Sequence, residues 1–190
     1  MTFTHVVLYR AMNLGHRGSP VREELEAALV GAGARAVRSF QTNGTVLLDP
    51  GDAGTDDLAD DLATQVVRAA APRLAERPGY AQPALVRPLA GVAAAIDGDP
   101  FALTRDDRTY RETLTFVDGG EPLPLDLPWT DPHDRFDLVA VRPGVVLGVV
   151  RGTAGAAGDP NPVVERLTGG VATTRTLGTV RRLLAAAARA

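Results

Sequence analysis

Apolar and polar positions along this chain repeat with two different periods, and the switches between them lay out a succession of short strands and helices. Residues 3–9, Phe-Thr-His-Val-Val-Leu-Tyr, are rich in β-branched and aromatic side chains and too short for a helix, so they predict a strand. Ser19-Pro20 supplies a helix cap followed by the pre-set φ of proline, and Glu23 and Glu24 fall near the positive end of that helix's dipole. Leu25, Ala28, Leu29 and Ala32 recur at helical spacing, and Gly31 and Gly33 provide the stop. Residues 34–40 and 45–49 then predict two strands around Gln41-Thr42-Asn43-Gly44, where Asn-Gly is the strongest short hairpin signal. Thr55 caps a second helix opened by Asp56 and Asp57; its buried face is expected at Leu58, Leu62, Val66 and Ala69, and Pro72 and Pro78 are expected to end or kink it. A further strand at 83–88 completes β-α-β-β-α-β, the order of a ferredoxin-like module.

The second half repeats these kinds of element less regularly. Residues 89–96 predict a short helix, 109–117 a strand with polar-apolar alternation, and 136–141 and 145–150 two strands joined by Arg142-Pro143-Gly144. A helix at 163–169, a strand at 171–175 and a last helix with Val180, Leu183, Leu184 and Ala187 facing the core follow. Residues 119–135 carry four prolines and are expected to form a loop or lid. The fold class expected is α+β, two α-β plait (ferredoxin-like) modules in tandem: residues 1–90, and residues 91–190 as a less regular module with a C-terminal helix.

Composition narrows the setting. The chain has 190 residues, 45% of them hydrophobic and 23% charged, an ordinary globular balance. It has no cysteine, which excludes disulfides and thiolate metal sites. No leader pattern and no uncharged apolar run of membrane-spanning length is present, so a soluble protein of the reducing cytoplasm is expected, with no membrane partner. All 20 basic residues are arginine, and the net charge is -3. Residues 1–90 hold 9 arginines against 10 acids and the remainder 11 against 13, so neither half is a basic module. Only Arg181, Arg182 and Arg189 hint at a basic face, and nucleic acid is not an expected partner.

Candidate chemistry is sparse. Ser19 and Ser39 are the only serines, neither inside Gly-x-Ser-x-Gly, which speaks against serine hydrolysis as the missing cysteine does against thiol chemistry. His5, His16 and His133 share no helix. His133 sits among Asp131, Asp134 and Asp137, a sparse oxygen-ligand set that reads better as a solvated acidic loop, so no metal is assigned. Three connectors lead polar or glycine-rich sequence into a helix. The first holds Arg10, Asn13, Gly15, His16 and Arg17 ahead of Ser19, where unpaired N–H groups and the helix dipole suit an anion, or where the segment is simply a turn. The second, residues 151–162, repeats Gly152, Gly155 and Gly158 without the Lys and Ser/Thr of a nucleotide loop, and reads as a flexible connector or a phosphate wrap. In the third, Thr176 caps the last helix with Thr179 at its third position, leaving Thr173, Thr174 and Arg175 to meet a carboxylate or phosphate, or to serve as a cap with a salt bridge.

The segments 6–20, 38–49, 83–96 and 172–183 resemble, in order and spacing, the bacterial family named domain of unknown function 1697 over nearly the whole chain. That resemblance implies paired α-β plaits and carries no established activity. Where the family reads Arg-Gly-Ile-Asn-Val-Gly-Gly this chain has Arg10-Ala11-Met12-Asn13-Leu14-Gly15-His16, and the family's Gln-Ser-Gly-Asn is Gln41-Thr42-Asn43-Gly44. A Ser-Lys pair gives way to Gly158-Asp159-Pro160-Asn161, and an Asn-Trp pair to Thr176-Leu177. The functional expectation is a binding protein whose Arg10, Asn13, Gln41, Thr174 and Arg175 hold a small anionic or phosphorylated ligand in a pocket between the modules. The alternatives are an enzyme acting on such a ligand, with His16 or an acidic loop residue as acid/base, and a protein-interaction module. No cofactor and no oligomeric state is specified.

Overall fold

His5–Tyr9 forms strand β1, buried at every position, at the centre of a four-stranded antiparallel sheet in the computed structural model, which describes residues 2–152 and 157–190. Its neighbours are β3 (Thr45–Asp49) and β4 (Ala84–Pro88), with β2 (Ala36–Gln41) beyond β3, giving the order β2-β3-β1-β4. Val7 stands opposite Val46 on one side and Val86 on the other. Helices α1 (Arg22–Gly31) and α2 (Asp56–Glu76) pack on the sheet face that carries Val7, Tyr9, Val46 and Leu48, and bury Leu25, Leu29, Val66 and Leu74 against it. Period-two alternation in the strands and helical spacing in α1 therefore meet in one core, whose burial is the main stabilising term.

Three local expectations shift. Helix α1 begins two residues after Pro20: Val21 is the cap, its N–H donating to Glu24 Oε2 at 3.1 Å, while Ser19 Oγ accepts from the Asn13 N–H at 3.1 Å. The buried stripe of α2 is Ala63, Val66, Val67, Ala70 and Leu74, whereas Leu58 is 54% exposed and Ala69 is exposed. Small alanines at 63 and 70 let the helix lie close to its neighbours, which overrides the leucine pattern. Pro72 neither ends nor interrupts α2, which continues to Glu76, since proline there forfeits only one intrahelical donor. The expected hairpin is present. Gln41 pairs with Thr45 across a bulge, leaving Thr42, Asn43 and Gly44 as a three-residue loop in which Gly44 alone takes the left-handed conformation, at φ 68°.

The remaining elements are α3 (Leu89–Ala95), β5 (Thr109–Asp118), β6 (Trp129–Thr130), β7 (Phe136–Arg142), β8 (Val145–Arg151), α4 (Asn161–Thr168), β9 (Val171–Thr176) and α5 (Leu177–Ala187). Strands β5 to β9 make a five-stranded antiparallel sheet ordered β6-β7-β8-β5-β9, so the chain is a mixed α+β fold with two antiparallel sheets and five helices among the described residues. It divides into two compact units, one of residues up to Gly91 with Leu183–Ala190, the other Val92–Arg182.

In the second unit Phe136, Leu138, Val146, Val150, Val164 and Ala172 form the core, and the proline-rich 119–135 segment packs upon it. Leu123, Leu125, Leu127 and Trp129 all touch that core, a period-two stripe that makes the segment an extended covering strap. Gly158 is held tightly: a Cβ there would lie 2.8 Å from the Arg135 carbonyl and 2.9 Å from the Phe136 ring. Gly155, the middle glycine of that connector, lies outside the described residues. Asp131, Asp134 and Asp137 are paired with Arg135, Arg108 and Arg151 respectively, and among the described residues no group of His, Asp and Glu converges to hold a metal. No described helix is long and apolar enough to cross a membrane.

Candidate functional site

The connector from β1 to α1 is clamped from two sides. Arg10 is tied to the segment before β4: its N–H donates to the Pro83 carbonyl at 3.0 Å, its carbonyl accepts from the Tyr80 hydroxyl, and its guanidinium donates to Gln82 Oε1 at 3.3 Å. On either side of Arg10 the chain is also tied to the β2-β3 hairpin, where the Leu14 N–H donates to the Thr42 carbonyl at 2.7 Å and the Tyr9 N–H to the Gly44 carbonyl at 2.9 Å. Asn13 and Gln41 are thereby placed on adjoining turns, with Asn13 exposed and Gln41 Oε1 accepting from Asn43 at 3.4 Å.

The connector's backbone donors are largely occupied. Asn13 N–H is bonded to Ser19 Oγ, Gly15 N–H to the Pro20 carbonyl, His16 N–H to the Asn13 carbonyl and Ser19 N–H to the His16 carbonyl. A nest of free amides for an anion is therefore not what this turn offers; its chemistry lies in side chains. His16 is exposed on it.

Ala11 occupies the left-handed region here at φ 51°, where a Cβ meets its own backbone at a cost of about 1–2 kcal/mol. Glycine removes that strain and loses some of the gain to unfolded-state entropy. Ala11→Gly is expected to raise stability by about 0.5–1 kcal/mol and the melting temperature by roughly 1–4 °C, which differential scanning calorimetry reads directly.

Beside Arg10 the first unit encloses a cavity of about 560 Å³ between the C-terminal half of α2 and the chain leading into β4. Tyr9 and Tyr80 form one wall, ring edge to face with centroids 5.8 Å apart, and Val67, Pro72 and Pro83 give it an apolar lining. Burial first, and Tyr80 beside it second, push the Tyr9 hydroxyl above the usual phenol range, so it stays neutral. Besides the two tyrosines, the polar side chains on the lining are Arg68 and Gln82, and none of the lining residues is acidic. Arg68 is exposed and makes no ion pair among the described residues, while Gln82 offers its amide hydrogens because Arg10 engages its oxygen. An apolar chamber with donors and no carboxylate suits an anion that has an apolar body.

The other two residues of the sequence expectation are in the second unit, on β9. The Thr174 hydroxyl donates to Asn161 Oδ1 at 2.7 Å, so the Thr115 hydroxyl, 2.9 Å away, donates to Thr174 in turn. Arg175 is 7% exposed, and its Nη1 donates to Thr173 Oγ1 and to the Thr174 carbonyl, each at 2.9 Å. Thr176 does cap α5, accepting from the Thr179 N–H at 3.2 Å. Arg68 and Gln82 were missed because nothing in the local pattern marks an exposed helix arginine and a loop glutamine as neighbours of one cavity.

Comparison with known proteins agrees with this framework. A family model described as "Protein of unknown function (DUF1697)" matches residues 1–126. Among curated proteins none matches the chain. The solved structure of conserved bacterial protein SP0830 from Streptococcus pneumoniae is similar over 98% of this chain and 99% of that one, with a TM-score of 0.60 at 15% identity, a likeness of fold.

Proposed function

Because the chain belongs to the DUF1697 family, whose description assigns no activity, we propose from the site alone that its first unit binds a small organic anion with an apolar body in the cavity beside Tyr9 and Tyr80. The observation that carries this reading is the lining itself: an aromatic and aliphatic chamber whose one charged member is Arg68. Arg10 stays in the reading through Gln82, which it orients; Asn13 and Gln41 sit on the turns that brace Arg10's connector. Thr174 and Arg175 belong to the other unit and are not used. The β-α-β-β-α-β order with strand order β2-β3-β1-β4 supports a ferredoxin-like plait for this unit, and the lack of cysteine fits a reducing compartment.

The test is thermal shift with benzoate, indole acetate and phenyl phosphate against inorganic phosphate, on wild type and Arg68→Ala. A compound at 100 times its dissociation constant adds about 2.7 kcal/mol, a rise of roughly 5–10 °C for a chain of this size. The apolar-bodied anions should give that rise and phosphate alone should not. Arg68→Ala should weaken binding by about 10- to 100-fold, the worth of one charged hydrogen bond. No rise with any compound, or a rise unchanged in Arg68→Ala, overturns the reading.

A further inference from the structure

A second cavity of the first unit, about 440 Å³, has the opposite character. Asp56 and Asp60 line it and no arginine does, together with Thr4, His5 and the apolar Phe3 and Leu89. His5 is 2% exposed and bridges two partners: Thr4 Oγ1 lies 2.8 Å from Nδ1, and Asp60 Oδ1 lies 2.8 Å from Nε2. An ionised carboxylate only accepts, so Nε2 carries the ring proton, and the lone pair at Nδ1 accepts the Thr4 hydroxyl hydrogen. Thr4 is exposed and the Asp60 side chain is 49% exposed, so the hydroxyl end of this relay opens to solvent while its imidazole is held in the core. A hydroxyl, a base in hydrogen-bond reach of it, and a third group orienting the base are the parts of an activated nucleophile.

We propose that Thr4 is the nucleophile of an acyl-transfer site, with His5 as its general base and Asp60 as the residue that positions the ring. The acyl donor is a small neutral ester or thioester: the two carboxylates repel an anionic donor, and Phe3 and Leu89 favour an apolar acyl group. Thr4 Oγ1 attacks the carbonyl carbon and its proton passes to His5 Nδ1, giving an imidazolium held by Asp60. The bond from that carbon to the leaving oxygen or sulfur then breaks, and His5 returns the proton to the leaving group, which departs as an alcohol or thiol. Water attacks the Thr4 ester with the same base, releasing the carboxylic acid and restoring the hydroxyl. This site is independent of the anion cavity, whose reading stands or falls separately.

The chain contains no lysine, so acylation of the whole protein by p-nitrophenyl acetate has little side-chain background. Peptide mass mapping should find one acetyl group on the peptide that holds Thr4, with release of p-nitrophenolate. Thr4→Val should abolish both and Thr4→Ser should retain them; the position is exposed, so either variant folds, as melting curves will verify. Asp60→Asn should slow acylation about 100-fold, the scale of positioned base catalysis, and Asp60→Glu should restore part of the rate, which a merely structural contact would not do. Absence from wild type of both the acetyl group and p-nitrophenolate release above the rate in buffer, or labelling and rate unchanged in Thr4→Val, overturns the proposal.

Discussion

Arg151→Ala is expected to destabilise the second unit by about 3–5 kcal/mol and to lower its melting temperature by roughly 6–20 °C. Arg151 on β8 and Asp137 on β7 are each 6% exposed and meet diagonally across neighbouring strands, two positions from direct register since Asp137 stands opposite Val149, joined by a direct hydrogen-bonded ion pair. Asp106 supplies a second carboxylate, 37% exposed, to the other guanidinium nitrogen. Truncating Arg151 leaves the Asp137 charge buried without its partner, which is the costly way to break such a pair. The pair itself is not optimised, since Arg151 Nε is buried with no hydrogen-bond partner among the described residues and forfeits part of its hydration energy. Replacing both members by apolar residues of similar size, Arg151→Met with Asp137→Leu, should therefore recover most of the loss. Denaturant melts of the wild type, the two single variants and the double variant close the cycle; a single variant costing under about 1 kcal/mol would mean that water reaches the pair.

Acid acts on the same region in a defined direction. Burial raises the Asp106 carboxyl, but the Arg151 charge and the Arg108 N–H outweigh it, so its folded pKa lies below the ordinary value. At Asp131 burial is likewise outweighed, there by the hydrogen bonds from Arg135 and His133. A depressed folded pKa means that the stabilisation is fully present above the unfolded value, about 3.9, and is lost as pH falls through the folded one. Arg151→Ala removes the largest stabilising charge from Asp106 and should flatten that acid-side loss.

The elements readable from sequence were those whose signals are local. The short β-branched and aromatic run of β1, Leu25 and Leu29 spaced along α1, and Asn43-Gly44 between two apolar runs each carry their own composition, period or turn chemistry. What escaped depends on partners distant in the chain. His5 and Asp60 are 55 residues apart and meet because β1 lies under α2; counting serines and cysteines as nucleophiles passed over Thr4, whose hydroxyl matters only once the imidazole beside it is fixed. The face of α2 was misplaced because leucines at 58 and 62 outweighed alanines at 63 and 70, yet small residues are what a closely packed helix presents. In the strap at 119–135, prolines masked a plain alternation of Leu123, Leu125, Leu127 and Trp129. The anion reading of Arg175 joined its charge to the hydroxyls of Thr173 and Thr174 before a helix; on β9 those same threonines engage the guanidinium, which is buried.

Gly44→Ala is expected to cost about 2–5 kcal/mol, and the reason ties the hairpin to the cavity. Gly44 has φ 68°, and a Cβ on it would lie 2.7 Å from Met12 Cβ and 2.8 Å from Tyr9 Cβ. Left-handed strain contributes about 1–2 kcal/mol, and overpacking against two buried side chains adds about 1–3 kcal/mol. Neither neighbour yields easily. Both contacts are to Cβ atoms fixed to the backbone, Tyr9 is 3% and Met12 4% exposed, and the Tyr9 N–H is bonded to the Gly44 carbonyl itself. Gly18 is the internal control: its φ is 77° with nothing within 4 Å of a Cβ, so Gly18→Ala bears the strain alone and should cost about 1–2 kcal/mol. The difference between the two variants in denaturant melts measures the steric contact by itself. Because Tyr9 also walls the anion cavity, Gly44→Ala should weaken benzoate and indole acetate binding while Gly18→Ala leaves it unchanged. Equal stability losses in the two variants would show that the hairpin yields to the methyl group, and the cavity wall would then keep its shape.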